Sequence, residues 1–229
     1  MFTLTDSTTS TVDEIVAKLT EAVHEHRVHP GTKLREDEVG EIFGVSRTLV
    51  RQALRNMEHD GLVTIERNKG AFVSKPTLKQ AREVFEARAL LEPTTARAAA
   101  LRASERDIDF LEQHIEDELA ALDRGETGLA LKLSGDFHVV IARIADQRTI
   151  EQFLRQLVSR SALVIALYWR RRNAICDSAS HRALVEAFRQ SDADSAEEVM
   201  KGHLLDLLTQ LDLSDRAAEP ASLKDALRR

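Results

Sequence analysis

The stretch Gly44-Val45-Ser46-Arg47-Thr48-Leu49-Val50-Arg51-Gln52-Ala53-Leu54 decides how the first part of this 229-residue chain folds. Val50, Ala53, Leu54 and then Met57 recur at the three-and-four spacing of a buried helical face. Thr48, Arg51, Gln52 and Arg55 fall on the outward side, and Ser46 stands at the N-cap. The helix so predicted runs to about residue 59 and is closed by Asp60-Gly61. Upstream, Gly44 ends a shorter helix over 36–43 at the point where a left-handed residue is wanted. Before that, Val12, Ile15, Val16, Leu19 and Val23 predict an amphipathic helix over 10–27, which His29-Pro30-Gly31 breaks. Downstream, two β-type runs over 62–66 and 71–74 flank the polar tip Arg67-Asn68-Lys69-Gly70 and read as a hairpin. Helix, helix, turn, helix, hairpin is the order of a winged helix-turn-helix.

Such a unit presents the start of its third helix to base edges in the major groove and its basic flank to phosphates. Arg47 is suited to a bidentate contact with guanine, and Thr48 to a hydrogen bond or a thymine methyl. Arg51 and Arg55, one and two turns on, are placed to grip the backbone, with Arg67, Asn68 and Lys69 at the wing tip. The plain alternative is a solvated basic helix face. The net charge of −6 looks unfavourable for nucleic acid, but its distribution is uneven. Residues 47–75 carry six basic groups against three acidic ones, although residues 1–76 as a whole have a net charge of −2.

After Lys75-Pro76 no strand signal follows, and helical patterns run at about 78–101, 104–124, 127–146, 148–171, 177–190 and 194–212. Six such helices predict an all-α bundle, so the chain divides into residues 1–76 and 77–229 and is mainly α. Ser104, Gly125-Glu126, Asp146-Gln147, the stretch 173–180 and Ser191-Asp192 supply caps or turns. The run Arg170-Arg171-Arg172 reads as the cationic end of a long helix, and the stretch from Asp215 onward as weakly structured.

The longest apolar run, 162–169, is far short of the roughly 20 residues of a membrane span, and residues 1–13 do not look like a targeting peptide. A cytoplasmic protein without a membrane partner is the expectation. Cys176 is the sole cysteine, which excludes an intrachain disulfide, a thiolate zinc cluster and a CxxC pair, and leaves His, carboxylate or water as metal ligands.

The first half resembles the GntR transcriptional regulators, on the strength of Gly31-Thr32-Lys33-Leu34-Arg35-Glu36, then Phe43 through Leu54, then Asp60-Gly61-Leu62-Val63. That resemblance implies a homodimer on palindromic operator DNA, contacted through Ser46, Arg47, Thr48 and Arg51 and the wing from Arg67 to Gly70, with Arg35 added from the signature. Leu49 departs from the proline that many members carry there.

The second half resembles the FCD ligand-binding domain of the FadR subfamily, in its six-helix VanR-like form. The resemblance rests on Val84 through Pro93, on Asp136-Phe137-His138 with Ala142 and Ala145, and on His181 through Phe188 reaching to His203. It implies a small-molecule effector, in many members a carboxylate bound to a divalent metal that one Asp and three His hold. His138, His181 and His203 match the histidines, but the position one turn before His138 is Ser134, and Asp136 lies about 160° round the helix.

Two readings follow. Either the three histidines hold a zinc- or nickel-like ion with Ser134 in weak or water-mediated contact, or they hydrogen-bond an organic anion directly. The plain alternative, three unrelated satisfied histidines, is how His24, His26, His29, His59 and His114 are read. Arg88 is suited to clamp an effector carboxylate, or to pair with Glu92 at i+4. Tyr168 and Trp169 are candidates to line the pocket, but aromatic residues in a bundle are more often plain core, and they are read so.

The resulting expectation is a ligand-responsive transcriptional regulator, a repressor, and not an enzyme. Its alternatives are a regulator that senses the metal itself, a metalloenzyme, which lacks a well-placed general base near His138, and an architectural DNA-binding dimer.

Overall fold

The computed structural model of the protein describes residues 5–169 and 178–213. The elements run α1 (Thr5–His24), β1 (Lys33–Leu34), α2 (Glu36–Phe43), α3 (Arg47–His59), β2 (Val63–Glu66), β3 (Gly70–Val73), α4 (Leu78–Ala100), α5 (Glu105–Asp123), α6 (Thr127–Ile144), α7 (Arg148–Tyr168), α8 (Ser178–Arg189) and α9 (Ala193–Thr209). The expected mainly α architecture, a winged helix-turn-helix followed by a helical bundle, is what the chain adopts.

In the first unit Gly44 takes the left-handed conformation, φ 65°, that turns the chain from α2 into α3. The face of α3 that the spacing selects, Val50, Ala53, Leu54 and Met57, is buried against Val12, Ile15, Val39, Leu62 and Val73. β2 and β3 pair antiparallel from Val63↔Val73 to Glu66↔Gly70 as the wing. On the other edge of β3 lies β1, paired Lys33↔Phe72 and Leu34↔Ala71, a strand the sequence reading missed. Its two residues carry no periodicity, and the segment is extended because β3 supplies the partner.

Two local expectations need correction. Ser46 occupies the N-cap with extended backbone, but its side chain makes no cap hydrogen bond. The first helix spans Thr5–His24 instead of 10–27, and it ends early because the chain turns at His26 (φ 56°) and Val28 N–H donates back to Ala22 O at 2.9 Å.

The second unit follows the predicted helix order closely. Thr77 with Gln80 and Ser104 with Asp107 form reciprocal capping boxes, and Asp192 caps α9. α4 passes through Pro93 without a break and packs along α9. A continuous core of Phe85, Ile108, Leu111, Phe137, Ile141, Leu184, Phe188 and Leu204 fills the bundle. Arg170-Arg171-Arg172, most of the punctuation at 173–180 and the stretch from Asp215 lie outside the described residues.

The two units meet through α7 and the start of α6. Leu163 of α7 is buried in the core of the winged unit. Arg160 Nε donates to Asp60 O and Gln156 Nε2 to Asp60 Oδ1, each at 3.3 Å, and Tyr168 Oη donates to Pro76 O at 2.7 Å. His26 Nε2 donates to Ala162 O at 3.1 Å. At Gly128 the approach is so close that an added Cβ would lie 1.9 Å from Glu25 O, so only glycine fits that contact.

Candidate functional site

Two groups of residues carry chemistry. In the first, α3 turns Arg47, Thr48, Arg51, Gln52 and Arg55 outward, all exposed, beside the equally exposed Ser46. Glu36 of α2 accepts from Arg51 Nε with both oxygens, at 2.9 and 2.8 Å. That contact ties Arg51 of α3 to the first turn of α2. Arg35 Nε stands 3.6 Å from Asp37 Oδ1. Arg67, Asn68, Lys69 and Gly70 form the exposed turn between β2 and β3, with Asn68 at φ 63° and Lys69 Nζ 2.8 Å from Glu66 Oε2. The nine sequence-selected residues therefore fall in three places, the start of α3, the wing tip and the strand edge at Arg35.

The second group lies inside the bundle. His138 of α6, His181 of α8 and His203 of α9 are all buried, and one ring nitrogen from each falls within 4.8 Å of the others. His138 Nε2 and His203 Nε2 are 3.3 Å apart, and His181 Nε2 has no hydrogen-bond partner. Phe137 stacks on His181 with centroids 4.1 Å apart, which fixes that ring plane. Burial first, then the neighbouring imidazoles of His138 and His181, pushes His203 down to about 2. Burial also lowers His138, against the pull of Glu92. Burial thus keeps the His138 and His203 imidazoles neutral, with lone pairs to offer a metal.

Behind two of the rings stand carboxylates that the sequence reading did not select for the site. Glu92 Oε2 of α4 lies 2.6 Å from His138 Nδ1, at an angle too oblique for an aligned hydrogen bond. Glu118 Oε2 of α5 lies 3.2 Å from His181 Nδ1. Both carboxylates are buried. A carboxylate behind an imidazole sets its tautomer and turns the other nitrogen toward a metal. Burial alone would raise the Glu92 carboxyl, but Arg88 and then His138 outweigh it and hold it well below the usual range. Arg88 Nε sits 2.5 Å from Glu92 Oε1, so of its two sequence readings the i+4 ion pair forms, and Arg88 Nη1 donates to Ser161 Oγ at 3.3 Å.

A small cavity reaches His138, lined also by Arg88, Ser134 and Ser161. Ser134 is buried there, and Asp136, part-exposed and paired with Lys132 at 2.8 Å, also lines the cavity, as does Lys132. The cavity has a second wall from outside the bundle: His24 at the end of α1 and His26 just beyond it. Both were read as plain histidines. His24 Nε2 is buried without a hydrogen-bond partner, and burial lowers the pKa of both rings. Trp169, read as plain core, lines the same cavity. No periodicity could have found His24, since its position depends on how the two units dock.

The arrangement can bind a divalent cation through three ring nitrogens, and it leaves room beside His138 for an anionic group. No helix among the described residues is long and apolar enough to cross a membrane.

Comparison with known proteins bears on both halves. Residues 11–73 match the model of bacterial regulatory proteins of the gntR family, and residues 83–206 match the FCD domain. The chain is 29% identical to the HTH-type transcriptional repressor RspR of Escherichia coli K12 over 79% of each chain. It is 26% identical to the galactonate operon transcriptional repressor of the same organism, over 83% of this chain and 92% of the relative. In structure it is similar to a GntR-type chain from Rhodococcus sp. RHA1, with a TM-score of 0.79 and 20% identity over 90% of this chain and all of the other. The metalloenzyme reading falls away with these matches. The chain belongs to the gntR family of bacterial regulatory proteins, a transcriptional regulator with an FCD domain behind its winged helix.

Proposed function

We propose that the protein is a homodimeric, metal-containing repressor that binds a palindromic operator and responds to a small carboxylate. Residues 1–76 form its DNA-binding domain and residues 77–229 its effector-binding and dimerisation domain. On DNA, Arg47 and Thr48 read base edges, Ser46, Arg51 and Arg35 hold phosphates, and Arg67 to Gly70 contact the groove beside them.

In the bundle, His138, His181 and His203 hold a zinc- or nickel-like ion, and the observation that carries this reading is the convergence of three buried ring nitrogens with carboxylates behind two of them. The metal supplies positive charge and open coordination positions for a carboxylate. Ser134, one turn before His138, stands where the resemblance places an aspartate and leaves a further position for water or effector. Arg88, already paired to Glu92 on the cavity wall, adds a cationic face to the pocket.

Because His24 and His26 close the same cavity, an occupant there meets the DNA-binding domain directly. Effector and operator affinities are then reciprocally linked. The relative named for the galactonate operon makes a sugar acid a sensible first probe. Operator affinity is to be measured by fluorescence anisotropy on the chain's own upstream DNA, with zinc, with and without D-galactonate and other small carboxylates. A shift in affinity with a carboxylate, absent in His138→Ala, supports the reading. A shift with metal alone, and none with any carboxylate, replaces it by direct metal sensing.

A further inference from the structure

Glu92 and Glu118 are both buried carboxylates, but their surroundings differ. Glu92 sits between Arg88 at 2.5 Å and His138 at 2.6 Å, so its charge has a guanidinium to balance it. Glu118 is fully buried, and among the described residues no lysine or arginine pairs with it. Its Oε2 faces His181 Nδ1 at 3.2 Å, and its Oε1 has no hydrogen-bond partner. On the far side of the same ring, His181 Nε2 is also buried and unpartnered. An anionic group and an unpartnered ring nitrogen thus stand on opposite edges of one imidazole that Phe137 holds in plane.

A buried carboxylate without a cation is costly, and chains retain one where a positive charge answers it. We infer that Glu118 is the anionic counter-charge of the metal site, a positioning residue that acts through His181 on a divalent cation held by His138, His181 and His203. This rests on the metal reading above. With Nδ1–H donating to Glu118, His181 is fixed in the tautomer that turns its Nε2 lone pair toward the other two rings, and the carboxylate makes that nitrogen more basic. The site thereby recovers from behind a ligand the negative charge that an aspartate at the Ser134 position would supply by direct contact.

The test uses Zn²⁺ alone on the full chain. Zinc affinity is measured by competition with a chromophoric chelator, and thermal midpoints are recorded for metal-free and zinc-loaded protein. Glu118→Gln keeps the shape and an acceptor oxygen but removes the charge. Zinc affinity is expected to fall about 10- to 100-fold. The metal-free midpoint holds or rises, because the unbalanced carboxylate has gone, and the rise on adding zinc shrinks. A purely structural Glu118 gives the opposite pattern, equal losses of midpoint with and without zinc at unchanged affinity, and that result overturns the inference.

If wild type takes no zinc, the metal reading fails and this inference with it. If wild type takes zinc, His138→Ala loses it and Glu118→Gln binds as tightly as wild type, only the inference fails. Should Glu118→Gln not fold, Glu118→Asp carries the test: the charge stays but draws back from Nδ1, and zinc affinity falls between the two. Unchanged affinity in that variant also overturns the inference.

Discussion

Glu92 Oε2 stands 2.6 Å from His138 Nδ1, two buried groups brought together from α4 and α6. The same carboxylate holds Arg88, so the guanidinium of the cavity wall and one of the three clustered histidines are joined through one acid. What reaches that cavity acts on a linked unit, not on isolated side chains.

Ser134 is buried on the cavity wall one helical turn before His138. Ser134→Asp places a carboxylate on the face that already carries His138, and metal retention should strengthen. Chelator competition on wild type and variant checks this. Unaltered affinity would show that the Ser134 face does not turn toward the ion.

Arg47 is exposed at the first turn of α3 and buries nothing in the winged core. Arg47→Ala is expected to lose about 1–3 kcal/mol of operator discrimination while the bundle stays folded. Anisotropy titrations on specific and scrambled DNA, beside circular dichroism, measure both. Equal specific binding by wild type and variant would remove Arg47 from the base-reading role.

Gly128 touches the backbone of Glu25, and a Cβ there would stand 1.9 Å from its carbonyl oxygen. Gly128→Ala should push the end of α1 off α6, cost about 1–3 kcal/mol by overpacking and weaken the coupling between effector and DNA. Chemical denaturation gives the first quantity and operator titration with and without effector the second. An unperturbed Gly128→Ala protein would mean that the two domains do not dock this way.

His26 ties the turn after α1 to α7, and burial lowers its pKa from the usual 6.5. The neutral ring is the docked form, so the unfolded or undocked chain binds more protons below pH 6.5. Docking stability from His26 is therefore full above that pH and is lost as the pH falls below it. Midpoints of chelator-treated protein between pH 8 and pH 5 should fall more steeply for wild type than for His26→Gln. Parallel profiles would assign the acid sensitivity elsewhere.

Much of this molecule was legible from residue order. The face Val50, Ala53, Leu54 and Met57 fixed α3, and with it the side on which Arg47 and Arg51 stand, because a helix obeys a local period. The three histidines were found by resemblance, and the bundle does bring them together. What escaped depends on distant partners. Lys33–Leu34 is a strand only because β3 lies beside it. Glu92 was visible as a neighbour of Arg88 along α4, but its place behind His138 needs the crossing of α4 and α6. Glu118 and His24 had no local signal at all, since each acquires its surroundings from an element far off in sequence.

The central claim, a three-histidine metal centre at the heart of the sensing domain, is tested most directly by metal stoichiometry. Plasma mass spectrometry on tag-free wild type and on His138→Ala should give about one zinc or nickel-like ion per chain in the first and a clear loss in the second. Neither protein holding metal, even after incubation with zinc or nickel and desalting, would contradict the account and leave the histidines as direct contacts for an organic anion.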